Sequence, residues 1–420
     1  VVEEKSGVEH LLSPYRVLDL TDERGLLCGK MLADLGADVI QVEPPSGNPA
    51  RNLGPFYQDD VHPEKSLFWW AYAANKRGIT LNLHTAGGRE LLHRLVKDAD
   101  FLIESFPPGY LEDLGLGYPD LEAVNPGLVM VSITAFGQDG PYAAYQAPDI
   151  VGLAASGILY LTGDSDRPPV RVGFPQFYLH GAAAGAGGAL MAHTHRAVTG
   201  QGQHVDVSCQ QAVAKALANA PLTWDIDRAI IKRMGAFRQA SKDATVRITW
   251  RCKDGHVNFM LQGGSTAVST RSMLAWMDEE GMGDEDLKQV NWEELGFGQG
   301  SAEVAAMAEK PLDRFLMSHT KAELTRGGFE RRILLSPVAT HGDVMDHPQL
   351  EARGFFKELH HPELEASVTH PGAFVTNEGE PRVGLRRRPP LIGEHNREIY
   401  LDELGLSVEE LIGLRRGGVI

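Results

Sequence analysis

The amino-acid sequence predicts an α/β fold, in which a parallel sheet with helices on both faces forms a large domain, beside a smaller α+β domain. Three observations predict it. Short apolar strands alternate with helical stretches in the N-terminal part of the chain, an order that calls for a parallel sheet joined by crossovers. The opening unit places strand, helix and strand within about 30 residues, and such crossovers are nearly always right-handed. Past Thr223 the texture becomes more charged and a hairpin signal appears.

"YRVLDLT" (Tyr15 to Thr21) alternates apolar and polar residues and reads as a strand. "GLLCGKMLADLG" (Gly25 to Gly36) has apolar spacing near 3.6 and closes on glycine, the signature of a capped helix. "ADVIQVEPP" is a strand stopped by prolines. The pattern repeats with "GITLNL" as strand, "AGGRELLHRLVKDA" as helix and "DFLIESF" as strand, then a partly helical segment and the strand "LVMVSIT". From Gly181 to Arg196 the chain is a helix of small residues that lets a neighbouring backbone come close. "GQGQHVDVSCQQAVAKALANA" reads as turn, short strand and helix. Two further strands meet at Asp254-Gly255, a hairpin turn signal. The expected organisation is residues 1–224 for the first part of the large domain, 225–330 for the small domain and 331–420 for a third section.

At 420 residues the chain can bury a large core, and its 43% hydrophobic and 23% charged residues are ordinary for a globular protein. A net charge of -16 argues against nucleic acid as a partner, since phosphate binding takes a basic surface. The three cysteines, Cys28, Cys209 and Cys252, are far apart and form no CxxC pair, which fits a reducing compartment. "VVEEKSGVEHLL" lacks a signal-peptide core, and "GAAAGAGGALMA" is far short of the roughly 20 residues a bilayer needs. A cytoplasmic protein that binds no membrane is expected. No HExxH, GxSxG or GxxxxGK[ST] occurs, and no metal site is expected. The turn after the first strand, "DERG", is acidic and a poor cradle for a pyrophosphate.

"VGFPQFYLHGAAAG" (Val172 to Gly185) has the build of an active-site entrance, a Pro-containing loop running into an Ala/Gly helix, yet holds no Asp, Glu, Cys, Ser or Lys. Its only reactive-looking side chains are Tyr178 and His180. A lone His is more often structural than catalytic.

Six stretches in order resemble the class III CoA-transferases: "LADLGADVIQVEPP", "NKRGITLNL", "ADFLIESFPPGYLEDLGLGY", "NPGLVMVSITAFGQDGPY", "TGQGQHVDVS" and "PPLIGEHNREIYLDELGL". They span nearly the whole chain apart from its middle. The resemblance implies a Rossmann-type large domain built from both ends of the chain, a small domain between them, and an interlocked dimer. It implies no permanently bound cofactor, with a coenzyme A thioester and a small carboxylate as substrates. It also implies a mechanism: an aspartate attacks the thioester, and a mixed anhydride and an enzyme-CoA thioester follow.

Aligned on "TGQGQ" and "RPP", the family's nucleophilic Asp falls on Tyr178, a phenol with an ordinary pKa near 10. Asp149 in "APDIVG" is the fallback carboxylate. Pro148 precedes it where the racemase branch has His. The resemblance puts Leu81, Phe106 and Leu114 on the adenine side of a CoA site. Pro44, His84, Asp113 and Gln146 stand where the family has basic residues, so that site is expected to be degenerate. Phe136, Gln138, Asp149 and Tyr178 are the implied substrate pocket. Phe136 and Phe177 suit either an aryl pocket or the core.

The expected function is therefore that of a subunit without the nucleophilic Asp. Its partner would be a homologous, Asp-bearing subunit that holds the CoA. The narrower resemblance is to a heteromeric branch that moves CoA from succinyl-CoA to an aryl-substituted dicarboxylate such as benzylsuccinate. The alternatives are a self-sufficient transferase using Asp149, and a non-enzymatic binder of acyl-CoA or carboxylate.

Overall fold

Strand β1 (Arg16–Asp19) lies at the middle of the main sheet, with Val17, Leu18 and Asp19 fully buried. The computed structural model describes residues 10–239, 245–295, 302–378 and 383–420. After β1 come α1 (Leu26–Asp34), β2 (Asp38–Glu43), α2 (Leu67–Ala73), β3 (Arg77–Thr80), α3 (Ala86–Val96) and β4 (Phe101–Glu104). Then follow α4 (Tyr110–Asp113), α5 (Tyr118–Val124), β5 (Val129–Thr134), α6 (Asp149–Ala155), α7 (Phe177–Thr199), β6 (His204–Ser208) and α8 (Cys209–Ala216). All six strands are parallel, in the order β3-β2-β1-β4-β5-β6. The α/β class with a parallel sheet is what the alternating pattern predicts. The central strands β4 (FLIE) and β5 (VMVSIT) are buried along their whole length, as in a parallel sheet covered on both faces.

The chain divides into two compact units. The first comprises residues 1–158, 172–218 and 348–420 and holds the main sheet. The second comprises 159–171 and 219–347. Its antiparallel sheet pairs Thr249–Cys252 with Gly255–Phe259, turning at Asp254-Gly255, and adds Leu335–Pro337. Trp250, Phe259, Met273, Trp276 and Phe315 fill its own core.

"NKRG" turns out to be a fastening. Asn75 sits in the left-handed region at φ 70°. Its amide group donates to Asp34 Oδ1 (2.7 Å) and Gly384 O (2.8 Å), and its Oδ1 accepts from the backbone of Arg386 and Arg387. Lys76 is fully buried and donates to Asp19 Oδ2 (2.8 Å), Leu26 O (3.0 Å) and Gln41 Oε1 (3.0 Å). Three acceptors match its three protons, the condition under which a buried ammonium is tolerated. Arg77 joins Asp38 to Glu398 and Glu403. Asn75 and Arg77 bind the C-terminal section onto the sheet, while Lys76 ties β3 to β1, β2 and α1.

Helix α7 uses its small residues for close approach. A Cβ on Gly181 would stand 2.2 Å from Cys209 Sγ, and one on Gly188 2.7 Å from Val205. Among the described residues, no helix is long and apolar enough to cross a membrane.

Candidate active site

The strand order reverses between β1 and β4. In an open parallel sheet, the crevice beyond the carboxyl ends of two such strands is where ligands bind. The loops leaving β1 and β4 there carry Asp22, Glu23, Arg24 and Phe106, Pro107, Pro108. All six line a cavity of about 650 Å³. The two loops are tied together: Ser105 Oγ accepts from Asp22 N (3.1 Å) and donates to Asp22 Oδ1 (3.0 Å). Asp22 in turn takes Arg24 bidentately, Nε to Oδ1 at 2.8 Å and Nη2 to Oδ2 at 2.5 Å.

Tyr178 enters this cavity from the first turn of α7. Its hydroxyl donates to Ala147 O (2.9 Å), and burial pushes the phenol up to about 12. A phenol so placed is protonated at neutral pH. Asp149 also lines the cavity, but its Oδ1 accepts from the backbone N–H of Gln176 (2.7 Å) and Phe177 (2.9 Å). It therefore anchors the start of α7, where amide donors have no partner inside the helix. His180 Nδ1 lies 2.9 Å from Gln176 O and must carry the proton to bond a carbonyl. Burial pushes the Cys209 thiol up to about 12, which removes thiolate chemistry beside Tyr178.

Phe177 is fully buried against α6, where a Cβ on Gly152 would lie 2.3 Å from its ring. Phe136 packs edge-on against Tyr142 (5.7 Å), and Gln138 N bonds the Asp206 carboxylate. Phe136 and Gln138 lie outside the cavity lining, so they do not join Tyr178 and Asp149 there. The aromatic walls are Phe68, Phe106, Tyr145 and Tyr178. Gln146 lines this cavity too.

A second cavity, of about 210 Å³, is lined by Leu81, Phe106 and Tyr110, together with Pro44 and His84. Leu114 packs against the core and does not line it, and Asp113 is exposed at the end of α4. Asp22 and Phe106 line both cavities. Phe106 stacks on Tyr110 with centroids 4.5 Å apart.

Sequence reasoning missed the "DERG" turn. It weighed these residues only against a pyrophosphate, whereas they form one wall of the larger cavity. Glu23 Oε2 is buried without a hydrogen-bond partner among the described residues, and burial with Asp22 alongside raises its pKa. Only the strand order could have flagged this turn, because it alone says which loops sit at the reversal. Glu104, at the end of β4, was also missed.

The model of CoA-transferase family III matches residues 12–396. The chain is 37% identical to the succinyl-CoA:(R)-benzylsuccinate CoA-transferase subunit BbsE of Thauera aromatica, over 97% of this chain and 98% of that one. It is 32% identical to the succinyl-CoA–D-citramalate CoA-transferase of Chloroflexus aurantiacus, over 97% and 98%. Among solved structures, a CAIB/BAIF family protein from Brucella suis matches with a TM-score of 0.80 at 30% identity, over 94% of this chain and 99% of that one. A hypothetical protein from Mycobacterium tuberculosis matches with a TM-score of 0.74 at 25% identity, over 94% and 99%. With the six-stranded parallel sheet and a family match over most of its length, this chain belongs to CoA-transferase family III.

Proposed function

We propose that this chain is the subunit without a nucleophilic carboxylate in a heteromeric CoA-transferase, one that moves CoA from succinyl-CoA to an aryl-substituted dicarboxylate such as benzylsuccinate. One observation carries the reading: Tyr178, where the family resemblance expects the Asp, is a half-buried, protonated phenol bonded to Ala147 O. The fallback carboxylate, Asp149, is engaged in holding α7.

A homologous subunit then supplies the attacking carboxylate and holds the CoA. In support, the smaller cavity has no lysine or arginine in its lining among the described residues, and Asp22 stands in its wall. Phosphates of CoA call for cations. The likeness to a benzylsuccinate transferase subunit supports the acceptor class, and the four aromatic walls of the larger cavity suit an aryl group. This subunit completes the fold and keeps water from the anhydride, which would otherwise hydrolyse.

Native mass spectrometry of the protein purified from its own host tests the proposal. The expected result is a complex with a second, similar-sized chain bearing Asp at the position of Tyr178. A homodimer that transfers CoA from succinyl-CoA unaided, with a borohydride-sensitive adduct at Asp149, would overturn it. Tyr178→Asp in the isolated chain is expected to give no transfer, because the smaller cavity lacks phosphate-binding cations.

A further inference from the structure

The C-terminal section carries an antiparallel hairpin, Phe356–His361 paired with Ala366–Pro371. It packs on α2, where Leu364 and Val368 join the cluster of Trp69, Trp70 and Ala73. Two histidines of this hairpin are buried, His361 at 0% and His370 at 4% exposure. Their Nε2 atoms lie 3.2 Å apart, and the two rings are within 8° of parallel. The Trp70 ring lies against both, 4.6 Å from His361 and 6.5 Å from His370 between centroids. Glu363 fixes which nitrogens carry hydrogen. Its Oε1 is 3.2 Å from His361 Nδ1 and its Oε2 3.2 Å from Arg388 Nε. A carboxylate paired with arginine only accepts, so His361 Nδ1 is protonated and, in the neutral ring, His361 Nε2 is bare. His370 Nε2 must then be the donor between the rings.

We propose that His361 and His370 form an acid-sensitive clasp between this hairpin and α2, closed by a single N–H···N bond and opened when both imidazoles are protonated. The proton count follows from the geometry. In the neutral pair one hydrogen lies between the two Nε2 atoms. A first added proton fits on His370 Nδ1 and leaves that bond in place. A second has only His361 Nε2 to go to. It sets two N–H groups and two positive charges against each other across 3.2 Å, and the clasp parts. Helix α2 also carries Phe68 into the lining of the larger cavity, so the clasp holds a helix that furnishes one of its aromatic walls.

The groups facing the pair keep it neutral at neutral pH. Burial is the largest effect on each ring and lowers both. Glu363 pulls His361 back up, while Arg388 and His360 push it further down. His361 itself and Lys30 on α1 press His370 down, to about 4. Trp70, Leu364 and Val368 bring no charge to the contact. Two imidazoles this close take up protons as a pair, in two steps. The folded pair binds protons less readily than the unfolded chain, whose imidazoles titrate near about 6.5, so the clasp weakens as pH falls below that value. The inference rests on the bonded pair and its packing on Trp70, not on the transfer chemistry or a second subunit.

The test is nuclear magnetic resonance of the full chain labelled with 15N-histidine and 15N-tryptophan, with signals assigned through His361→Gln, His370→Gln and Trp70→Phe. At a pH of about 8, His361 is expected as the Nδ1–H tautomer and His370 as the Nε2–H tautomer, with a scalar coupling between the two Nε2 nuclei across the hydrogen bond. Both rings should stay neutral through about pH 6.5, where a free imidazole titrates. The coupling should vanish at lower pH together with a shift of the Trp70 indole N–H, which donates to Glu64 O. Glu363→Gln removes the charge that favours a cationic His361, so it should move the midpoints to lower pH. No coupling at a pH of about 8, the opposite tautomers, or a midpoint near about 6.5 for either ring overturns the proposal. So does a Trp70 indole that ignores the loss of the coupling, or a Glu363→Gln protein with unmoved midpoints.

Discussion

Replacing Asp149 with alanine separates an anchoring carboxylate from a reacting one. In the native protein one oxygen of Asp149 accepts from Gln176 N at 2.7 Å and Phe177 N at 2.9 Å. Hydrogen bonds to a charged group contribute about 1.5–3 kcal/mol each, and leaving the buried donor unmatched adds to the loss. Because both bonds share a single oxygen, the lower end applies, about 3 kcal/mol in total. Asn keeps an acceptor oxygen but not its charge, so Asp149→Asn should cost about half as much. Urea unfolding followed by circular dichroism reads this as a lower midpoint at unchanged slope. An Asp149→Ala protein within about 0.5 kcal/mol of wild type would refute the anchoring argument. In the complete transferase, Asp149→Asn should retain turnover at temperatures where the protein stays folded. Its abolition in a protein of undiminished stability would make Asp149 chemical rather than structural.

Gly152→Ala pushes a methyl into the buried Phe177 ring, 2.3 Å from its nearest carbon, and should cost about 1–3 kcal/mol in thermal or denaturant unfolding; Phe177→Leu in the same chain should recover part of it. Lys76→Met strips Asp19 of its buried cation and should cost about 3–5 kcal/mol, measured the same way. Glu104 gives stability a pH dependence of definite sign. Its carboxyl is held at about 7 in the folded protein against 4.5 when exposed, so between those values the folded state binds the extra proton and stability falls as pH rises. A gap of about 2.5 pH units at 1.36 kcal/mol each amounts to about 3 kcal/mol, lost between pH 4.5 and about 7. Glu104→Gln should lack that slope in urea titrations across this range. Parallel slopes in the two proteins would contradict the assignment.

Much of the fold is legible in the residues themselves. The spacing of apolar side chains marks β1, α1 and β2; the Asp254-Gly255 turn marks a hairpin; and the Gly/Ala run marks α7, since each of these is a local rule. Six short stretches were enough to recognise the family. The roles of particular side chains were less legible. "NKRG" is plain as a motif, but that Asn75 and Arg77 fasten the C-terminal section to the sheet depends on partners hundreds of positions away, such as Gly384 and Glu398. Phe136 and Tyr178 are both aromatic residues of family-like loops, yet only Tyr178 lines the larger cavity. The order β3-β2-β1-β4-β5-β6 brings the "DERG" turn beside Phe106 and sets Glu104 on β4 against Ser132 on β5. Local composition determines which segments become strands and helices because backbone and side-chain preferences act over a few residues. Which strands become neighbours is decided by long-range burial and pairing, so the cavity, the anchor under Tyr178 and the buried carboxylate behind Phe106 belong to the tertiary structure alone.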